Sequence, residues 1–175
     1  MRYHEKRFNV RRLVLLGTFT AIALILSYIE FLLPPIWSAV PGIKLGLANV
    51  MVIYVLYSLS LKDAAMVSLV RVFLSAILFG TALTLAYSLA GAVLSLAAMA
   101  ILKKLGLFSE VGVSIAGAVL HNLGQILVAV IVLRTAEIGY YMIILTLTGI
   151  LSGVFVGLVG SLLTKYIKFD WSKQK

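Results

Sequence analysis

Between residues 13 and 166 the chain is a series of apolar runs, and most approach the length of a bilayer crossing. A helix needs about 20 apolar residues to traverse the hydrocarbon core. The runs predict six spans, at residues 13–33, 48–61, 64–80, 83–102, 111–133 and 140–166. The second reaches full length only if it begins near Ile43, and the third carries a charge, Arg71. Hydrophobic residues make up 62% of the 175 residues and charged residues 12%. A soluble domain is nearer about 45–50% and about 25%. A water-soluble fold of this length could not hide so much apolar surface, so lipid is the expected solvent. The expected fold class is all-α, a polytopic membrane protein with one six-helix domain at residues 13–166. A basic N-terminus (residues 1–12) and a basic tail (residues 167–175) flank it.

The net charge of +9 fits the same reading. With the N-terminus inside, 12 of the 15 Lys and Arg fall at inner ends and loops, and only Lys44 and Arg134 fall outside. That bias follows the positive-inside rule and places both termini in the cytoplasm. Five or seven spans would put one basic terminus on the wrong side. The charge is spread along the chain and not gathered on one face, so no nucleic-acid partner is expected. Part of it can hold anionic lipid headgroups. The first apolar stretch is too long for the core of a cleaved signal peptide, which favours a retained helix. Cysteine is absent, which excludes a disulfide scaffold. Tyr and Trp residues fall near the expected span ends, at headgroup depth.

Helices in lipid associate through small residues that allow close contact. Gly149, Gly153, Gly157 and Ser161 recur every four residues in the sixth span, Gly17 and Ala21 lie four apart in the first, and Gly112, Ala116 and Gly117 mark the fifth. Each face serves packing within the bundle or docking of a partner subunit, and Gly17/Ala21 is the best docking candidate. Intramembrane polar residues are functional candidates by default. Arg71 is one: it either snorkels toward the inner surface, near Asp63, or makes a buried ion pair or ligand contact. His121, Asn122 and Gln125 form a second group, in which His121 and Gln125 share a helix face. They either bond neighbouring helices or line a cavity. Glu30 and Asn49 sit at the ends of the first and second spans. Residues 34–49 hold all three prolines in an apolar, Gly-containing stretch with Lys44. It is either an interfacial turn or a lid over the helices. As a lid it would bring Lys44 to an anionic group from outside, with Tyr87 as a further wall.

A G-x-x-x-x-G-K-[ST] phosphate loop is absent. The six acidic residues are scattered, whereas metal-assisted diphosphate chemistry needs clustered carboxylates. Two His and no Cys make a metal site unexpected. The residues suit binding and passage, so neither an enzyme nor a cofactor is expected. A small channel ranks last, because rings of charge are missing.

Pro41-Gly42-Ile43-Lys44-Leu45-Gly46-Leu47-Ala48-Asn49, Val70-Arg71-Val72-Phe73-Leu74 followed by Phe79-Gly80-Thr81, Ser88-Leu89-Ala90-Gly91 and His121-Asn122-Leu123-Gly124-Gln125 together resemble one bacterial membrane family. It is the heptaprenyl diphosphate synthase component I family, also called the Gx transporter family, and the likeness runs from about residue 13 to 165. The chain also resembles substrate-binding components of energy-coupling factor (ECF) vitamin transporters. That resemblance implies a multi-pass protein of a bacterial-type plasma membrane that binds a small molecule under outer loops. The ligand would be a small, anionic, isoprenoid- or cofactor-related molecule. Lys44 and Asn49 would gate the site, and Arg71, Tyr87, His121, Asn122 and Gln125 would line it. The resemblance further implies docking to a transmembrane coupling subunit with separate ATPase subunits. Gly17 and Ala21 stand where the ECF components have an A-x-x-x-A face, with Gly replacing the first Ala. The alternative is a non-catalytic membrane accessory subunit of heptaprenyl diphosphate or quinone synthesis, or of a quinone- or flavin-linked electron-transfer system.

Overall fold

A computed structural model describes residues 10–33, 46–134 and 140–168. These residues form six helices: α1 (Val10–Leu32), α2 (Asn49–Ser58), α3 (Leu61–Phe79), α4 (Ala82–Leu105), α5 (Glu110–Leu133) and α6 (Tyr141–Tyr166). Their boundaries follow local chemistry. The Ser60 hydroxyl accepts from the Asp63 amide at the start of α3, and Ser109 does the same for Gly112 at the start of α5. Thr81 and Thr84 form a reciprocal capping box on α4. Each cap satisfies amides that the helix itself leaves open. Gly106 closes α4 with φ +68°, a left-handed value that glycine adopts without a Cβ penalty.

Length separates the helices into two kinds. α1, α4, α5 and α6 are long and apolar enough to cross a membrane. α3 has 19 residues but carries Lys62, Asp63 and Arg71. α2 has only 10 residues, or about 15 Å at 1.5 Å per residue, half the hydrocarbon thickness. The second expected span is therefore shorter than residues 48–61 at both ends. Its surroundings account for its composition. Val50 to Leu56 are all buried, and a helix apolar on every side is one enclosed by others. α2 packs against α1, α3 and α6, while α4 and α5, and α5 and α6, form the other main contacts. The core gathers on α2: Phe19 meets Tyr54 edge-on at 5.5 Å, and Ile53, Val67, Met99, Val113 and Val156 complete it. Outside, large apolar side chains such as Ile77, Ile131 and Leu151 are more than two-thirds exposed, as expected where the surroundings are lipid.

The small-residue faces divide by role. A Cβ at Gly153 would lie 2.6 Å from the Ile115 Cα, and one at Gly157 would lie 2.7 Å from the Val111 Cα. A Cβ at Gly149 would meet the Asn122 amide nitrogen at 2.9 Å. These three glycines are the α5–α6 seam. On the other side of α5, a Cβ at Gly124 would lie 2.7 Å from the Ala90 carbonyl oxygen, so α4 approaches as closely. Gly17 is different: nothing lies within 4 Å of the position its Cβ would take, and Ala21 is also exposed. That face of α1 takes no part in packing among the described residues.

One end of the bundle collects the basic residues Arg11, Arg12, Lys62, Lys103, Lys104, Lys165 and Lys168. Arg12 donates from Nε and Nη2 to both oxygens of Asp63, at 2.6–3.1 Å, and ties α1 to α3. Lys103 Nζ donates to the Leu56 carbonyl at the C-terminus of α2 and lies 4.9 Å from the centre of the Tyr57 ring. Tyr54 Oη donates to the Ile167 carbonyl at 3.1 Å.

Candidate functional site

At the opposite half of the bundle, the C-terminus of α1, the N-terminus of α2, the C-terminal half of α3, the N-terminal part of α4 and the middle of α5 surround a cavity of about 90 Å³. It is polar, in a domain whose helices are otherwise apolar. Arg71 comes from α3 and donates from Nη2 to Asn49 Oδ1 at 3.2 Å. Asn49 is placed by the turn that starts α2, where its amide donates to the Gly46 carbonyl at 2.8 Å. Gly46 has φ +71°, so this tight turn relies on a residue without a Cβ. The Gly46 amide donates to Glu30 Oε1 at 2.5 Å, which fixes the carboxylate at the end of α1. Glu30 and Arg71 attract one another across the site. A partly buried guanidinium in an apolar bundle needs such a counter-charge.

The α5 wall is built differently. Asn122 Nδ2 donates to the Leu145 carbonyl on α6 at 2.7 Å. Gln125 Nε2 lies 3.3 Å from His121 Nε2, one helical turn away. The ring of His121 packs where α4 comes closest: a Cβ on Gly91 would touch it at 2.8 Å. His121 is thereby held between two helices and aimed at the cavity.

Five residues singled out from the sequence, Asn49, Arg71, His121, Asn122 and Gln125, line this one cavity. Arg71 does not reach toward Asp63, which is taken by Arg12. α3 and α5 are not among the closely packed helix pairs, so Arg71 and His121 meet across the cavity and not along a helix contact. Tyr87 is not a lining residue, and its neighbour Ser88 is. Lys44 lies outside the described residues, as does most of the expected lid at 34–48, although Gly46 and Ala48 at its end line the cavity. Sequence reasoning left Ser27, Glu30 and Ser75 out of the site. Ser27 and Glu30 are three apart on α1, and Arg71 and Ser75 are four apart on α3, so each pair shares a helix face. That spacing within apolar helices was the available signal. Among the described residues, no three His, Cys, Asp or Glu side chains gather as metal ligands would.

The family model described as heptaprenyl diphosphate synthase component I matches residues 19–163, which include every described lining residue of the cavity. No curated protein matches the chain, and no solved structure does.

Proposed function

Because the chain belongs to the heptaprenyl diphosphate synthase component I family, a name that describes part of a synthase, we propose a role that fits both the name and the cavity: a membrane-embedded, non-catalytic component that binds a small polar molecule. The specific reading is the substrate-binding component of an ECF-type transporter in a bacterial-type plasma membrane. The observation that carries it is the convergence of Asn49, Arg71, His121, Asn122 and Gln125, from three helices, on one cavity. Polar groups are costly in such a bundle, and a ligand gives their gathering a use. The open Gly17/Ala21 face supports the transport reading as well, because it leaves α1 free to meet a coupling subunit. With the basic end inward, as the positive-inside rule expects, the cavity lies toward the outer surface, where uptake would begin.

The accessory-subunit reading draws on the family description. In it the basic end would hold a soluble enzyme at the inner surface. Affinity purification from a native membrane separates the two. Recovery of a transmembrane coupling protein with two ATPases supports transport, and Gly17→Leu should abolish that recovery. Recovery of a prenyl synthase, unaffected by Gly17→Leu, overturns it. Arg71→Ala and His121→Ala should weaken ligand binding while the fold survives. If both bind normally and lose only stability, the polar residues are structural.

A further inference from the structure

Resting on the binding role proposed above, we infer that the cavity takes an acidic group of its ligand, a carboxylate or a phosphate, on Ser27, Asn49 and Arg71. These residues come from α1, α2 and α3 and line the cavity together. Arg71 carries five N–H donors and, among the described residues, makes one hydrogen bond, from Nη2 to Asn49 Oδ1. Its Nε is buried without a partner among them, and so is the Ser27 hydroxyl. Asn49 gives its Oδ1 to Arg71, and its NH₂ adds two further N–H groups. Ser75, the hydroxyl one turn from Arg71, bonds the Arg71 carbonyl instead. Buried polar groups are rarely left unsatisfied, so Ser27 and Arg71 call for an acceptor that the described chain does not supply.

Glu30 is a carboxylate already at the cavity. It attracts Arg71 and accepts from the Gly46 amide, yet Arg71 Nε stays unbonded. The charge of Arg71 is opposed across the site while its hydrogen bonding is not met. The number of acceptor positions separates an acid from a neutral carbonyl. One carbonyl oxygen has two lone pairs, whereas a carboxylate offers about four. Donors from three residues exceed what a single carbonyl accepts, and charge-assisted bonds to a guanidinium are roughly twice as strong as neutral ones. The α5 wall takes no side. After their bonds to Leu145 and His121, Asn122 and Gln125 each keep an N–H and a carbonyl oxygen, so they meet either polarity in the rest of the ligand. The small volume and polar lining disfavour a prenyl chain, which needs a long apolar groove.

The test uses the full chain, purified in lipid-depleted detergent, and saturation-transfer NMR with matched probes. These are lactate against lactamide, succinate against succinamide, and glycerol 3-phosphate against glycerol. At least one acid should bind about tenfold or more tighter than its neutral mate, since the mate leaves buried donors unpaired. Arg71→Gln should erase that preference, and Arg71→Lys should restore only part of it, because an ammonium lacks the planar fork. Ser27→Ala should weaken the acid several-fold and leave the neutral mate unchanged. Glu30→Gln should tighten the acid, because an opposing charge goes while the Gly46 amide keeps an acceptor. Circular dichroism confirms folding of each variant. Native mass spectrometry separates the two sources of an acidic group: a phospholipid retained by the wild type and lost in Arg71→Gln assigns it to a lipid headgroup, and a retained soluble acid assigns it to a free metabolite. Equal binding of acids and neutral mates overturns the inference, as does an acid preference that survives Arg71→Gln or a co-purified ligand without an acidic group. In each of these cases the binding role stands without the acid. If the cavity holds no molecule and no probe binds, both fall.

Discussion

Replacing Gly153 by alanine puts a methyl group into the α5–α6 seam. The new Cβ would stand 2.6 Å from the Ile115 Cα, 3.1 Å from its amide nitrogen and 3.2 Å from the Ser114 carbonyl oxygen. Carbon atoms rest at about 3.5–4.0 Å, so the helices must part locally by roughly 1 Å. All three obstructing atoms are backbone, and no rotamer change removes them. Overpacking of this kind costs about 1–3 kcal/mol, here toward the upper end. Alanine's higher helix propensity returns at most about 1 kcal/mol. The net expectation is a loss of about 2 kcal/mol, or roughly 4–8 °C in the midpoint for a chain of this size. Gly17→Ala is the internal control. Nothing lies within 4 Å of its Cβ position, so only propensity acts and the midpoint should hold or rise slightly. Thermal melts in detergent, followed by circular dichroism, read both. If Gly153→Ala melts with the wild type while Gly17→Ala melts lower, the division of small-residue faces into an inner seam and an open face is wrong.

Substitutions at three further positions probe the basic end. Arg12→Ala leaves the buried Asp63 carboxylate without its two-point partner. The cost should fall near 1–2 kcal/mol, between the values for surface and buried pairs, because Arg12 is itself half exposed. Arg12→Lys should restore only part of it, since an ammonium cannot reproduce the fork; chemical denaturation in mixed micelles measures both. Lys103→Met removes the donor to the Leu56 carbonyl and should cost about 1–3 kcal/mol, with hydrogen exchange faster in the last turn of α2. Ser60→Ala removes the cap of α3 and should cost about 1 kcal/mol in the same melts, leaving ligand binding unchanged.

Legibility from sequence followed the kind of signal each feature leaves. Helix boundaries for α1, α4, α5 and α6 were readable to within a few residues because an apolar run is a local signal. α2 was harder: its ten residues belong to a continuous apolar run, and its burial on every side by other helices is not something periodicity records. Arg71 and His121 were conspicuous because a polar group in an apolar helix has no cheap explanation. Their partners were less so. Arg71 and Asp63 are two turns apart on one helix, and pairing through snorkelling was a reasonable expectation until Arg12 was seen to take both carboxylate oxygens. Ser27 escaped notice because a serine in a membrane helix ordinarily bonds a carbonyl one turn back. Thr18, Thr20, Ser75 and Thr164 all do so, and only three-dimensional placement reveals that Ser27 does not. The same contrast bears on function. A hydroxyl satisfied by its own helix is neutral toward a ligand. A buried hydroxyl without a partner among the described residues, in a cavity beside a guanidinium that makes one hydrogen bond among them, favours an occupied state over an empty one.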